Sequence, residues 1–256
     1  MNRDVIKLIK ADYLSQLKSL FSDKRAVRNE NLIKNCVTVN NSDLGVGANA
    51  DIGENTLEYG DYADECTIFH ELDHIRKGAS LYTLDSDTEM TNSKKVKFSR
   101  PRHGIFLDEA ITEYVATYMF RNSKYFQPAI DQLKLNSRVF YKEQIKVLNQ
   151  MANALGIKTL ELCNLIDMRH HFGDTTIDKK FEAITGDKDS FVRIEVGLDY
   201  YGTTQYIDYQ CSLGNMKSND GVVATGIDER CQKQADKFYD MAMRDLEKIK
   251  QQRILK

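Results

Sequence analysis

His70-Glu71-Leu72-Asp73-His74 sets two imidazoles four residues apart, and that spacing constrains this chain more than any other feature. On an α-helix, residues i and i+4 share one face a turn apart, so both rings can reach a single ion. The flanking residues suit a helix. Asp61, Asp64 and Glu65 supply acidic residues for an N-terminus. Ala63, Cys66, Ile68, Phe69, Leu72 and Ile75 follow at helical steps without Pro or Gly. Arg76 and Lys77 favour a C-terminal end that Gly78 can close. The pattern predicts a helix from about Asp61 to Lys77, with both rings in its second half. Glu71, directly after the first His, is placed to act on a water held by the same ion.

This is the HExxH arrangement of zinc hydrolases, in which zinc keeps an open position and the Glu is the general base. A third ligand is needed, and a second helical pattern offers one. Leu107, Ala110, Ile111, Tyr114, Val115 and Tyr118 recur at three- and four-residue steps, and Glu109 and Glu113 sit one turn apart on one face. One carboxylate can bind metal while the other accepts a hydrogen bond from a ligand imidazole and fixes its tautomer.

On these two motifs the chain resembles the gluzincin branch of zinc metallopeptidases, the thermolysin-like clan, over about residues 50 to 120. The resemblance implies that Zn2+ is held by His70, His74 and Glu109, that Glu71 is the general base, and that Glu113 orients a ligand ring. Glu113 departs from the Asp usual in thermolysin-like enzymes. The fold implied is α+β and predominantly helical: a zincin-like metal-binding lobe over 1–120, with a small sheet beside the HExxH helix, then a helical C-terminal lobe over 121–256. The two form one catalytic unit. The activity implied is peptide-bond hydrolysis on a peptide or protein substrate. Glu71 would take a proton from the zinc-bound water and pass it to the leaving amine.

A weaker likeness is to peptide deformylases, carried by HExDH with Gly78 and by the Gly45-Val46-Gly47-Ala48-Asn49-Ala50 segment. Those enzymes take their third ligand from a Cys in a separate upstream motif. Here the nearest Cys is Cys66, one turn from His70 on the same helix, where it cannot readily complete a tetrahedral site with both rings. It reads as a small buried apolar residue. Two alternatives stay open: deformylase-like amide hydrolysis, and a zinc-stabilised binding or regulatory module without turnover.

Hydrolysis also needs a donor for the developing oxyanion. His170 and His171 at the end of a predicted helix are candidates, with Tyr114, Tyr200 and Tyr201 competing. His103 reads as a surface loop residue. Net charge is −2, which points to neither nucleic acid nor an anionic membrane, and no apolar run reaches transmembrane length. The first residues contain no signal-peptide core, and five scattered Cys without CxxC pairs favour reduced thiols. The expectation is a cytoplasmic protein; oligomeric state is not encoded legibly.

With only two Pro, the rest of the chain reads mainly as helix. Helices are expected at about Arg3 to Phe21, Tyr125 to Leu155, Thr159 to His170, Asp178 to Thr185 and Glu229 to Lys256. At 190 to 213, Val192, Ile194, Val196 and Leu198 alternate as a strand would, while Phe191, Ile194, Leu198 and Tyr201 fit a helix; its helical flanks favour helix. Cys36 to Val39 and Asn55 to Tyr59 read as short strands, the second as an edge strand able to bind extended substrate by strand addition. Gly45 to Gly53 reads as a loop. Asp85 to Arg102 reads as an exposed loop between the metal helices that could act as a lid.

Overall fold

The computed structural model describes residues 2–21, 28–44, 47–78, 88–126, 142–218 and 220–255. It is a mixed α+β protein, mostly helical, with small sheets. The chain forms two compact units that interleave along the sequence. One comprises 1–80, 110–145 and 171–173; the other comprises 81–109, 146–170 and 174–256.

The first unit opens with helix α1 (Arg3–Leu20), capped by the Asn2 side chain on Asp4 N. Its Ile6, Ile9, Tyr13 and Leu17 recur at helical steps and are all fully buried. A one-and-a-half-turn helix, α2 (Glu30–Asn35), follows and has no counterpart in the sequence reading. Then come β1 (Val37–Asn40), β2 (Ala48–Asp51) and β3 (Thr56–Tyr59), in spatial order β1-β3-β2. β3 runs parallel to β1 and antiparallel to β2. This corrects two expectations. The Asn55–Tyr59 strand is central, so it offers no free edge, and the Gly-rich segment contains a strand. β2 is the edge beside the motif helix. Gly47 leads into it because a Cβ there would meet the Tyr62 carbonyl at 3.3 Å and the Thr67 methyl at 3.4 Å.

The motif helix is α3 (Glu65–Lys77). It starts four residues later than the acidic run suggested, because Asp64 is its cap: Oδ1 accepts from Thr67 N at 2.7 Å and Thr67 Oγ1 at 2.6 Å. At the other end Gly78 adopts φ 68° and donates its amide to His74 O at 2.9 Å. Arg28 Nε and Asn29 Nδ2 donate to the last carbonyls, Lys77 O and Arg76 O.

Nearly every face of α3 is buried. Toward α1, Phe69 meets Tyr13, whose hydroxyl donates to Asp73 Oδ1 at 2.6 Å. Arg76 donates to both oxygens of Asp73, at 2.7 and 3.3 Å, and stacks over Phe21. Both charged residues are 0% exposed. Burial, with the Asp73 charge beside it, pushes the Tyr13 phenol well above its ordinary range.

The chain from 88 to 102 is not the exposed loop expected. β4 (Thr88–Met90) and β5 (Val96–Phe98) form an antiparallel hairpin, and Val96 and Phe98 pack with Ile207, Cys211, Ala224, Ile227 and Cys231. Residues 85–87 of that expectation lie outside the described residues. Helix α4 (Ile105–Arg121) follows; Tyr125 and Phe126 then lie in a turn around Ser123 Oγ, not in a helix. Residues 127–141 of the expected Tyr125 to Leu155 helix are outside the described residues, and α5 (Lys142–Leu155) supplies its end.

Helices α6 (Thr159–Phe172), α7 (Thr176–Thr185) and α9 (Glu229–Leu255) fall close to where periodicity put them, and the segment at 190–213, whose pattern fits a strand as well as a helix, forms helix α8 (Ser190–Ser212). In the second unit α8 and α9 pack through stacked rings, Tyr200 on Phe238 and Tyr201 on Tyr239. Among the described residues no helix is long and apolar enough to cross a membrane.

Replacing Arg76 by Met leaves Asp73 charged and buried with Tyr13 as its remaining side-chain donor. The expected loss of stability is about 3–5 kcal/mol, the usual cost of breaking a buried pair. Urea denaturation of wild type and Arg76→Met measures it; a loss below about 1 kcal/mol would show that the pair is not the tie between α1 and α3.

Candidate metal centre

α3 presents His70, His74 and Lys77 on one face, at i, i+4 and i+7. His70 is 3% exposed, and its Nδ1–H donates to Glu113 Oε2 on α4 at 3.0 Å. Glu113 is 2% exposed, and Thr117 Oγ1 donates to its other oxygen at 3.2 Å. Because the carboxylate can only accept, Nδ1 of His70 carries the proton and Nε2 presents its lone pair. That nitrogen faces Nε2 of His74 at 3.1 Å, with the two rings 72° apart. Glu109 lies one turn before Glu113 on α4. One ligand atom from each of His70, His74 and Glu109 can be chosen so that all lie within 4.8 Å of one another.

Three of the residues singled out in the sequence therefore form a candidate metal site, and Glu113 holds the first imidazole from behind. Lys77 Nζ donates to Thr112 Oγ1, a second polar tie between α3 and α4. Glu71 lies on a different face of α3, and its Oε2 accepts the Ala50 amide of β2 at 2.9 Å. Nothing local in Ala48-Asn49-Ala50-Asp51 signals that contact; it follows from β2 being an edge strand, with an amide pointing away from β3.

Cys66 is buried, and the candidate cluster contains no Cys. His103 is exposed. Tyr114 and His171 are partly exposed, whereas His170 is 1% exposed and engaged elsewhere. Its Nε2 meets Glu195 Oε1 at 2.6 Å, and Arg169 joins Glu195 and Asp178 at 2.8 and 3.0 Å. Burial works to raise the Glu195 carboxyl, but the His170 hydrogen bond and the Arg169 charge outweigh it and hold the group below its ordinary range. Tyr200 and Tyr201 sit in the ring stacks of α8 and α9.

The start of α4 is satisfied in a way the sequence did not suggest. Asp108, adjacent to Glu109, is expected from its position near the helix start to act as a cap, but it is the fourth residue of α4, too far in to do so. Asp199 of α8 instead accepts from Gly104 N at 2.7 Å and Phe106 N at 3.3 Å. Burial, with the Glu195 charge beside it, pushes the Asp199 carboxyl well above the usual carboxylate range.

Comparison with protein-family models, with curated proteins and with solved structures found no match to this chain. The reading of the site therefore rests on its own geometry.

Removing the Glu113 carboxylate frees the His70 ring to rotate and to change tautomer. Glu113→Ala is expected to weaken metal binding about 10–100-fold, as loss of a carboxylate behind a ligand imidazole does. A competition titration against a chromophoric chelator measures this, and unchanged affinity would remove Glu113 from the site.

Proposed function

We propose that this protein is a zinc-dependent metallopeptidase of the gluzincin type, with a zincin-like arrangement of α3, α4 and the β1-β3-β2 sheet. The observation that carries the reading is the pair of imidazole nitrogens 3.1 Å apart, with His70 oriented by Glu113. Two nitrogens at about 2.0–2.1 Å from one tetrahedral zinc stand roughly 3.3–3.4 Å apart, so this edge fits. The N2O donor set of His70, His74 and Glu109 is that of His2Glu catalytic sites, which leave a position open for water or substrate.

When bound, zinc lowers the pKa of a coordinated water and polarises a substrate carbonyl. The chain supplies the remainder. His70 and His74 would hold the ion, and Glu113 keeps the first of them in the required tautomer. Glu71 is the proton carrier: it accepts from the attacking water and delivers to the leaving amine. The Ala50 amide donates to one oxygen of Glu71 and holds the carboxylate beside β2.

The absence of Cys from the donor set weighs against a deformylase-like site. Among the oxyanion candidates, His170 is committed to Glu195, which leaves Tyr114 and His171 as the residues to vary first.

Glu71→Gln tests the proposal. The variant is expected to retain zinc at wild-type stoichiometry and to lose about 10²–10⁴-fold in kcat on internally quenched peptides, the usual worth of a general base. Equal cleavage by variant and wild type would exclude the mechanism. Zinc binding without hydrolysis of a diverse peptide library by the wild type would favour the binding-module alternative.

A further inference from the structure

A basic cleft of about 370 Å³ opens in the first unit between α1 and the segment that joins α2 to β1. Arg3, Lys7 and Lys10 line it from α1, at i, i+4 and i+7 on one helix face. Lys34, Asn35 and Thr38 line the other side, and no carboxylate is among the lining residues. We propose that this cleft binds a small, multiply charged anion of the phosphate type, at a site that uses no residue of the metal centre.

The charges there are poorly compensated within the protein. Lys7 and Lys34 pair with Asp4 and Glu30 at 2.9 and 2.7 Å, but these are exposed helix pairs of little worth. Arg3 has no ion-pair partner among the described residues. Lys10 donates to a neutral carbonyl, Cys36 O, at 2.8 Å, and burial depresses its pKa. A partly desolvated ammonium without a carboxylate is the group most favoured by an incoming anion. Arg3 and Lys7 also stand in the first two turns of an 18-residue helix, where the dipole disfavours cations and favours a bound anion.

The shape argues for a small soluble ligand. The volume lies at the lower end of the range for small-molecule pockets. Asn35 and Thr38 add neutral hydrogen-bonding groups of the kind that recognise phosphate oxygens alongside the cations. The guanidinium of Arg3 supplies the planar fork suited to two oxygens of one phosphoryl group.

Isothermal titration of the purified full chain with inorganic pyrophosphate tests the inference, with zinc content measured before and after. Saturable binding is expected, weakened when NaCl rises from about 0.05 to 0.3 M. Arg3→Gln and Lys34→Gln, both at exposed positions, are each expected to weaken it, and the double variant by roughly tenfold or more, with metal content unchanged. Equal affinity in wild type and double variant would place the anion elsewhere, the metal centre included, and overturn the proposal. So would the absence of saturable heat at millimolar pyrophosphate, or capture by phosphatidylglycerol vesicles of a protein that ignores pyrophosphate.

Discussion

The hydrogen bond from His70 Nδ1 to Glu113 Oε2 is the constraint on which the centre depends. Neither partner could be buried alone at low cost: an unpartnered carboxylate would be forced toward neutrality, and an unanchored imidazole would be free to change tautomer. Together they fix the distance between α3 and α4 and aim the His70 lone pair at His74. Lys77 and Thr112 repeat the tie two turns further along α3. On the opposite side Asp73 and Arg76 bind the same helix to α1 through Tyr13 and Phe21. The five-residue motif thus serves two interfaces, with its His residues directed toward α4 and its Asp toward α1.

This division explains which parts of the site were legible in sequence. His70, His74, Glu109 and Glu113 are paired at i, i+4 on two helices with clear periodicity, and that spacing alone puts each pair on one face. Asp73 has no part in the metal-ligand reading of the motif. Its burial with Arg76 depends on α1 crossing at Tyr13, sixty residues away, and no local pattern encodes such a meeting. Glu195 and Asp199 were missed for the same reason: each sits inside a helix whose apolar pattern is legible, and their partners His170, Gly104 and Phe106 come from distant segments.

The sheets were harder to read than the helices. β2 is built from Ala, Asn, Ala and Asp, which carry almost no intrinsic strand preference, so its pairing to β3 comes from tertiary context. Glycines around it suggested a loop, when Gly47 is there to let the strand approach the turn before α3. In β5 the alternation Val96-Lys97-Phe98 is a true period-two signal, but three residues among lysines and serines were too few to register. The helices at 176–185 and 229–255 have one clearly apolar face and were placed to within about two residues, whereas at 190–212 apolar residues are spread around the helix and its pattern alone left strand and helix open. The mixed charge of α1 concealed the cleft at its basic face, because Asp4, paired with Lys7, and Asp12, which is buried, balance the count.

In the proposed function Glu109, and not its neighbours, closes the metal site. Neighbours on a helix point about 100° apart, so Asp108 and Glu109 cannot both face the same ion. The most direct measurement is zinc stoichiometry by elemental analysis on wild type, Glu109→Ala and Asp108→Ala after dialysis against a weak chelator. One zinc per chain in wild type and in Asp108→Ala, with loss from Glu109→Ala, is the expected result. Zinc retained without Glu109, or lost with Asp108, would contradict the assignment.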